Sequence, residues 1–290
     1  MSINTNFRIC ILNWNGGLHL RECIDSIKTN GYINRRITVI DNASTDGSVD
    51  FLDTELGNGD TDLGSDIGLI RLDSNYGFAQ GYQHGLIKMK RGDSAGSNKD
   101  EFIIFLNFDT ILKNDFLECL AESMQKYSRR DIFGVKILYE DKRDLIWYAG
   151  GEVNLKRGMI KHKGLRNNIN HINRDSETDY VTGCCMVIHE ETFTQLQGFD
   201  QDFFMYYEDV ELCLRARAVG LKCIYLNTPQ IFHKVSVSVG GNYSLKKIIM
   251  KMKSAFLLYR KSPSLPTRFS GMLYFLLYTI RTALRLIFRN

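Results

Sequence analysis

Apolar runs in the first half of the chain end repeatedly in polar residues able to hold a ligand. Asn13 and Asn15 follow one run, Asp41 and Asn42 the next, then Asp73 and Asn75, then Asn107 and Asp109. Amides can bond the edges of a base or the hydroxyls of a sugar, and carboxylates can hold a divalent cation. A lone Asp or Asn in such a place is more often a turn former or helix cap; recurrence at the ends of successive runs points to a site. Further on, Glu208 and Asp209 stand side by side behind an aromatic stretch, Phe203-Phe204-Met205-Tyr206-Tyr207. A hydroxyl is a poor nucleophile at neutral pH, so a carboxylate aligned with it can take its proton as it attacks. Acids also favour the positive start of a helix. That accounts for the acids and leaves the aromatic lead-in, suited to walling a sugar ring, unexplained.

The elements that must position these residues follow from apolar periodicity. Short apolar runs alternating with helical patterns predict an α/β fold with a mostly parallel central sheet and flanking helices. Strands are expected at Arg8–Asn13, Ile37–Asp41, Ile67–Asp73, Phe102–Asn107 and Phe133–Tyr139, with helices near Leu18–Lys28, Ser48–Asp53, Ala79–Lys90 and Asp115–Tyr127. In an open sheet of this kind ligands bind beyond the carboxyl ends of the strands. Gly57–Asp66 and Arg91–Asp100 read as surface loops, and the basic, Asn-rich stretch Lys156–Asp179 as a mobile loop over one face. A strand at Val181–Ile188, a helix at Glu208–Val219 and a strand at Cys223–Leu226 complete the body. Gly77, Gly81 and Gly85, four apart, share one helical face and allow close approach to sheet or ligand. They form neither a dinucleotide fingerprint nor a phosphate-binding P-loop.

With 44% hydrophobic and 24% charged residues, disordered and fibrous classes are excluded. The cysteines lie mostly in apolar runs without a C-x-x-C pair, which reads as buried thiols in a reducing cytoplasm rather than a zinc ribbon or disulfide framework. The net charge of +4 hides an asymmetry: after Glu211 the chain has Lys and Arg but no Asp or Glu. The expected division is a globular domain over residues 1–244 and a basic, amphipathic helical tail over 245–290. Pro263 and Pro266 divide the tail into two helical patterns. In the second, Leu273, Leu277, Ile280, Leu284 and Ile287 recur at helical spacing, with Arg281, Arg285 and Arg289 on another face. No run is long enough to span a bilayer. A helix in the interface of an anionic membrane fits this pattern; packing against the domain or a partner is the alternative. No nucleic-acid motif accompanies the basic charge, so no nucleic-acid partner is expected.

The ordered set ICILNWNG (Ile9–Gly16), VIDNASTDGS (Val39–Ser48), NYGFAQG (Asn75–Gly81), FLNFDT (Phe105–Thr110), GFDQDFFMYYEDVELCLR (Gly198–Arg215) and FH (Phe232-His233) resembles family 2 glycosyltransferases of the GT-A fold. Within that family it is similar to the bacterial rhamnosyltransferase-like branch acting on surface polysaccharides such as O-antigen. The resemblance implies an inverting, metal-dependent hexosyltransferase that takes a sugar, rhamnose as best guess, from a dTDP- or UDP-linked donor. The implied acceptor is a hydroxyl of a glycan or polyprenyl diphosphate-linked glycan, met at the inner face of the cytoplasmic membrane by a cytoplasmic, peripheral enzyme. It assigns Asn13, Asn15, Asp41, Asn75 and Asn107 to the nucleotide, with Asp41 on the imide N–H of the base. It assigns Asp109 and His233 to Mg2+ or Mn2+, Asp209 to the role of base, and Glu208 to a place beside it. Asn107 departs from the family's D-x-D metal motif, where the first position is Asp; its amide can bond a ribose hydroxyl but supplies no charge.

N-acetylglucosaminyl, galactosyl and galactofuranosyl enzymes share these motifs and remain alternatives for the sugar. A nucleotidyltransferase would want a Gly-rich, cationic loop after the first strand, which Asn13-Trp-Asn-Gly-Gly does not provide. A catalytically silent, membrane-docked binding protein is the other rival; it would have no need to keep Asp109, Asp209 and His233 together.

Overall fold

A computed structural model describes residues 5–56, 67–92, 100–235, 245–262 and 264–287. Its strands are β1 (Phe7–Asn13), β2 (Arg35–Asp41), β3 (Ile67–Arg71), β4 (Phe102–Asn107), β5 (Thr110–Leu112), β6 (Ile132–Tyr139), β7 (Ile146–Tyr148), β8 (Gly151–Asn154), β9 (Met159–His162), β10 (Ser176–Thr178), β11 (Cys185–His189) and β12 (Cys223–His233). The helices are α1 (Leu18–Lys28), α2 (Asp50–Leu56), α3 (Gly77–Gly92), α4 (Phe116–Met124), α5 (Glu190–Gln195), α6 (Glu208–Ala218), α7 (Leu245–Lys261) and α8 (Leu265–Ile287).

The main sheet runs β10-β12-β6-β11-β4-β1-β2-β3, with β5 paired to β12 and β7 to β6. Strands β3, β2, β1 and β4 are mutually parallel. Their near-continuous apolar sequences suit burial on both faces, as crossover helices require. β11 is antiparallel to both β4 and β6, while β6 and β12 are parallel to each other. The α/β expectation therefore holds, with a parallel half joined to a mixed half.

Starting from β1, the chain adds β2 and β3 on one side and later β4 on the other, so strand order reverses beside β1. A crevice opens at the carboxyl ends of strands at such a switch point. Register aligns the polar ends there: Asn13 pairs with Asp41, and Leu12 with Asn107.

Helix α3 lies close against this half. A Cβ on Gly85 would come 2.4 Å from Ile40 Cδ1, and one on Gly81 would come 2.9 Å from Leu12 Cδ1. Tyr82, fully buried on the same helix, donates its hydroxyl to the Leu106 carbonyl at 3.1 Å. The glycine spacing thus serves helix-to-sheet packing.

The stretch expected as a mobile loop, Lys156–Asp179, is instead built into the fold. It contains β9 and β10, and β9 closes an antiparallel ribbon with β8. Cross-strand partners supply what the local sequence lacks: His162 on β9 packs edge-on to Trp147 and Tyr148, with ring centroids 4.4 and 5.1 Å apart. Strand β12 runs on well past the expected Leu226 because Pro229, unable to donate to the ladder, sits where the register shifts between Leu226 and Gln230. Pro266 lies in the first turn of α8, where its missing N–H costs nothing.

Helix α7 buries Ser254, Ala255, Leu258 and Tyr259 against the body. Helix α8 approaches it closely at Gly271, where a Cβ would fall 2.3 Å from the Leu155 carbonyl. The loop expected at Gly57–Asp66 lies outside the described residues, as do residues 93–99 of the loop expected at Arg91–Asp100 and the side chains of Arg281, Leu284, Arg285, Ile287 and Arg289.

Candidate active site

The polar ends of β1 and β2 form one bonded network. Asn13 Nδ2 lies 3.1 Å from Asp41 Oδ1, 3.0 Å from Ser44 Oγ and 2.9 Å from Ser48 Oγ. Asp41 Oδ2 accepts from the Ser44 amide at 3.3 Å, so the buried carboxylate is fixed by groups from two segments. Asn15, with a left-handed φ of 52°, receives the Thr45 amide on its side-chain oxygen at 2.8 Å and clamps the loop after β1 to the loop after β2.

Asn75 Oδ1 accepts from Asn42 Nδ2 at 3.1 Å and from the Gly77 amide at 2.9 Å. Its oxygen thus shapes the entry to α3, and its amide nitrogen is the group left for a ligand. Gly77 has φ 75° and passes so close to Phe204 that a Cβ would sit 2.2 Å from its carbonyl oxygen. The Phe78 amide donates to that same carbonyl at 2.7 Å. The parallel half is thereby tied to the aromatic lead-in of α6.

Asp109 sits in the turn between β4 and β5 and is 2% exposed. Because β5 pairs with the end of β12, His233 lies opposite Thr110, and His233 Nε2 comes 3.3 Å from Asp109 Oδ1. Trp147 packs edge-on to the imidazole at 4.5 Å between centroids, and His233 Nδ1 is buried without a hydrogen-bond partner. Donors 3.3 Å apart fit adjacent positions around one Mg2+-like cation, whose ligands at about 2.1 Å lie about 3 Å from each other. Among the described residues no cluster of three or more His, Cys, Asp or Glu side chains can hold a metal. A cation here would have Asp109 and His233 as protein ligands and take the rest of its shell from substrate oxygens and water.

Glu208 and Asp209 begin α6 directly after Tyr206 and Tyr207, both left-handed at φ 73° and 67°. Such a conformation costs roughly 1–2 kcal/mol for a non-glycine residue. It is held by tertiary contacts: Ser254 Oγ donates to the Met205 carbonyl at 2.7 Å, and Phe275 packs edge-on to Tyr207 at 6.5 Å. Asp209 Oδ2 accepts from the Gly183 amide and Oδ1 from the Val210 amide, each at 2.8 Å, which fixes the carboxylate's direction. Glu208 is buried behind it, with Oε2 lacking a hydrogen-bond partner. Burial, followed by the charge of Asp209, pushes the Glu208 carboxyl well up; burial also raises Asp209, against the opposing pull of its backbone donors.

The two acidic regions meet across one short segment. The Asn107 amide donates to the Cys184 carbonyl at 3.0 Å, next to the Gly183 amide that holds Asp209. The charges of both Asp109 and Asp209 push up the buried Cys184 thiol, after burial itself. Asn13, Asn15, Asp41, Asn75, Asn107, Asp109, Glu208, Asp209 and His233 thus come together on one edge of the sheet.

Ser44, Ser48, Asn42, Gly183 and Trp147 also build this edge without having been given roles from sequence. Asn42 stood at a strand end and the serines within a quoted motif, whereas nothing local marked Gly183 or Trp147. Their parts arise from pairing between distant strands.

A family model described as glycosyl transferase family 2 matches residues 8–194, and one described as the N-terminal domain of galactosyltransferase matches residues 163–237. The chain belongs to glycosyl transferase family 2. By family, then, it is a glycosyltransferase.

Among curated relatives, it is 30% identical over 168 residues to rhamnosyltransferase WbbL of Escherichia coli K12, a match covering 54% of this chain and 61% of that protein. It is 20% identical over 244 residues to the N-acetylglucosaminyl-diphospho-decaprenol L-rhamnosyltransferase of Mycobacterium tuberculosis, covering 80% and 77% of the two chains. Among solved structures, GalNAc-T7 with UDP, GalNAc and Mn2+ superposes with a TM-score of 0.63 at 15% identity, over 88% of this chain and 48% of that one. Staphylococcus aureus TarS in complex with UDP-GlcNAc gives 0.58 at 13% identity, over 94% and 72%. Both likenesses are of fold.

Proposed function

We propose that this glycosyltransferase moves a sugar, rhamnose as the best reading, from a dTDP- or UDP-linked donor to a hydroxyl of a lipid-linked or polysaccharide acceptor, with inversion. The observation that carries the reading is the convergence on one strand-end crevice of a bonded Asn13–Asp41 network, the Asp109–His233 pair and the backbone-oriented Asp209 carboxylate. The names of the two rhamnosyltransferases support the sugar, and the decaprenol-linked substrate in one name supports the acceptor class.

In this reading Asp41 accepts the imide N–H of the base, while Asn13, Asn15, Asn75 and Asn107 line the nucleoside. Mg2+ or Mn2+ held by Asp109 and His233 would neutralise charge on the departing diphosphate. Manganese bound with UDP in the GalNAc-T7 structure supports such a cation. Asp209 takes the acceptor's proton as the hydroxyl oxygen bonds to the anomeric carbon. The bond from that carbon to the diphosphate oxygen breaks on the opposite face, and its electron pair leaves with the nucleoside diphosphate. Glu208, whose carboxyl burial pushes well up, stands beside the base and adds less negative charge there than an exposed carboxylate would.

Residues 245–290 serve in this reading as a membrane-surface attachment at the inner face of the cytoplasmic membrane. Phe269 and Leu273 on α8 are 70% and 58% exposed, with Leu265, Leu276, Leu277 and Ile280 also open to solvent. The tail is basic and free of acids. Among the described residues no helix is long and apolar enough to cross a membrane. An interfacial helix fits both properties.

The test is a hydrolysis and transfer screen over dTDP- and UDP-sugars with Mg2+ or Mn2+, reading released nucleoside diphosphate. The expected result is preferential turnover of dTDP-rhamnose that stops on addition of EDTA. Turnover of no nucleotide sugar would remove the proposal, and full activity in EDTA would remove the metal.

A further inference from the structure

Helix α7 carries two lysines in line with the residues it packs on the body. The residues it buries, Ser254, Ala255 and Leu258, continue backwards at helical spacing to Lys251 and Lys247. Two lysines therefore continue the row of packed residues toward the start of the helix, Lys247 half-buried and Lys251 exposed. Lys253, also exposed, lies off that row.

The stripe ends at the active-site edge. Lys251 Nζ lies over the Tyr206 ring, 5.0 Å from its centroid, and Ser254, one turn on, holds the Met205 carbonyl. The charge of Asp109 favours the ammonium form of Lys247, against the larger effect of burial, which lowers it. Partial loss of solvent to the surrounding protein, then the charge of Lys247, lowers Lys251. Among the described residues neither ammonium group has a carboxylate in salt-bridge contact. Two neighbouring cations held at the edge of a pocket are costly alone and favourable once a concentrated anion lies between them.

On the reading given under Proposed function, the ligands for a cation among the described residues are Asp109 and His233, and Asn107 contributes no charge. The diphosphate would leave that edge underneutralised. We infer that Lys247 and Lys251 bind the donor's diphosphate from the α7 side, so that the tail supplies a working part of the nucleotide site. The lysines add the two positive charges that the strand-end residues do not provide. Charge-assisted bonds from ammonium to phosphate oxygen would strengthen as negative charge builds on the leaving group.

The experiment is calorimetric titration of the full chain, its Lys247→Met/Lys251→Met double variant and a Lys253→Met control, with dTDP, UDP, the matching monophosphates and inorganic pyrophosphate, each with Mg2+. The double variant is expected to lose about tenfold or more in affinity for the diphosphates and pyrophosphate, with monophosphate affinity within about twofold of the parent. The double arginine variant should recover most of the loss, which separates charge from a folding defect. Equal losses for mono- and diphosphates, or a loss of the same size in the Lys253 control, overturns the inference. Lysine-dependent pyrophosphate binding without any nucleotide binding would leave the lysine site standing while removing the proposed donor. Lysine-dependent pyrophosphate binding that dTDP and UDP fail to displace would assign the site to a diphosphate other than the donor's and overturn the assignment made here.

Discussion

The two halves of the crevice are built on different terms. On the β1–β2 side, polar groups bond one another closely: Asn13 donates toward Asp41, Ser44 and Ser48, and Asn42 donates to Asn75, while Asn13 Oδ1 is buried without a partner. On the side made by Asp109, His233 and α6, charge is buried with fewer partners; Glu208 Oε2 and His233 Nδ1 have none. A densely bonded neutral network holds a shape at low cost, whereas incompletely matched buried charge is held in place by the rest of the fold. The first side is suited to recognising a fixed ligand and the second to meeting charge that develops during reaction.

Substitutions that separate the halves test this contrast. Asp209→Asn keeps the shape and removes the proton acceptor; turnover should fall by about 10²–10⁴-fold with nucleotide affinity nearly unchanged, measured by steady-state kinetics beside calorimetry. Near-parental turnover would take Asp209 out of the mechanism. Asn13→Ala should act on the other side, costing about 1–3 kcal/mol in urea-unfolding stability and weakening nucleotide binding, because Asp41 and the serines lose a buried donor. Unchanged affinity would mean the network shapes the loops without touching the nucleotide.

Gly85→Ala should cost about 1–3 kcal/mol by pressing a methyl into Ile40, with the Michaelis constant for donor little altered, since this contact lies behind the crevice. The smallest effect concerns pH. A base must be deprotonated to act, and burial raises Asp209, so kcat should fall with acidification at a pH above the ordinary carboxylate range of about 4. The charge of Asp209 raises Glu208, whereas burial is what raises Asp209, so Glu208→Gln should leave that limb in place in a rate profile. A limb that moves to lower pH would mean that Glu208 carries charge beside Asp209.

The same division explains what could be read from sequence. The parallel half announces itself through local signals: apolar strands close in Asn13, Asp41 and Asn107, and glycines four apart mark α3. Its strands and helices fall near their expected bounds because each element's period is set by its own residues. The mixed half depends on partners far away. The Asn-rich stretch before β10 has no period of its own and is ordered by pairing of β9 with β8 and of β10 with β12. Trp147 meets His233 only because β7 and β12 flank β6 in the sheet. The placement of Lys247 and Lys251 was hidden for the same reason: composition marks the tail as basic, but only the docked helix brings Lys251 over Tyr206 and sets Lys247 one turn before it.

Gly271 lets α8 rest backbone to backbone on the Leu155 segment, and from that footing Phe275 reaches Tyr207 at the start of the acidic helix. The outward row of leucines and the start of α6 thus lie on opposite sides of one packed seam. On the proposed reading, a surface covering those leucines would stand one ring contact away from the residue that precedes Glu208 and Asp209.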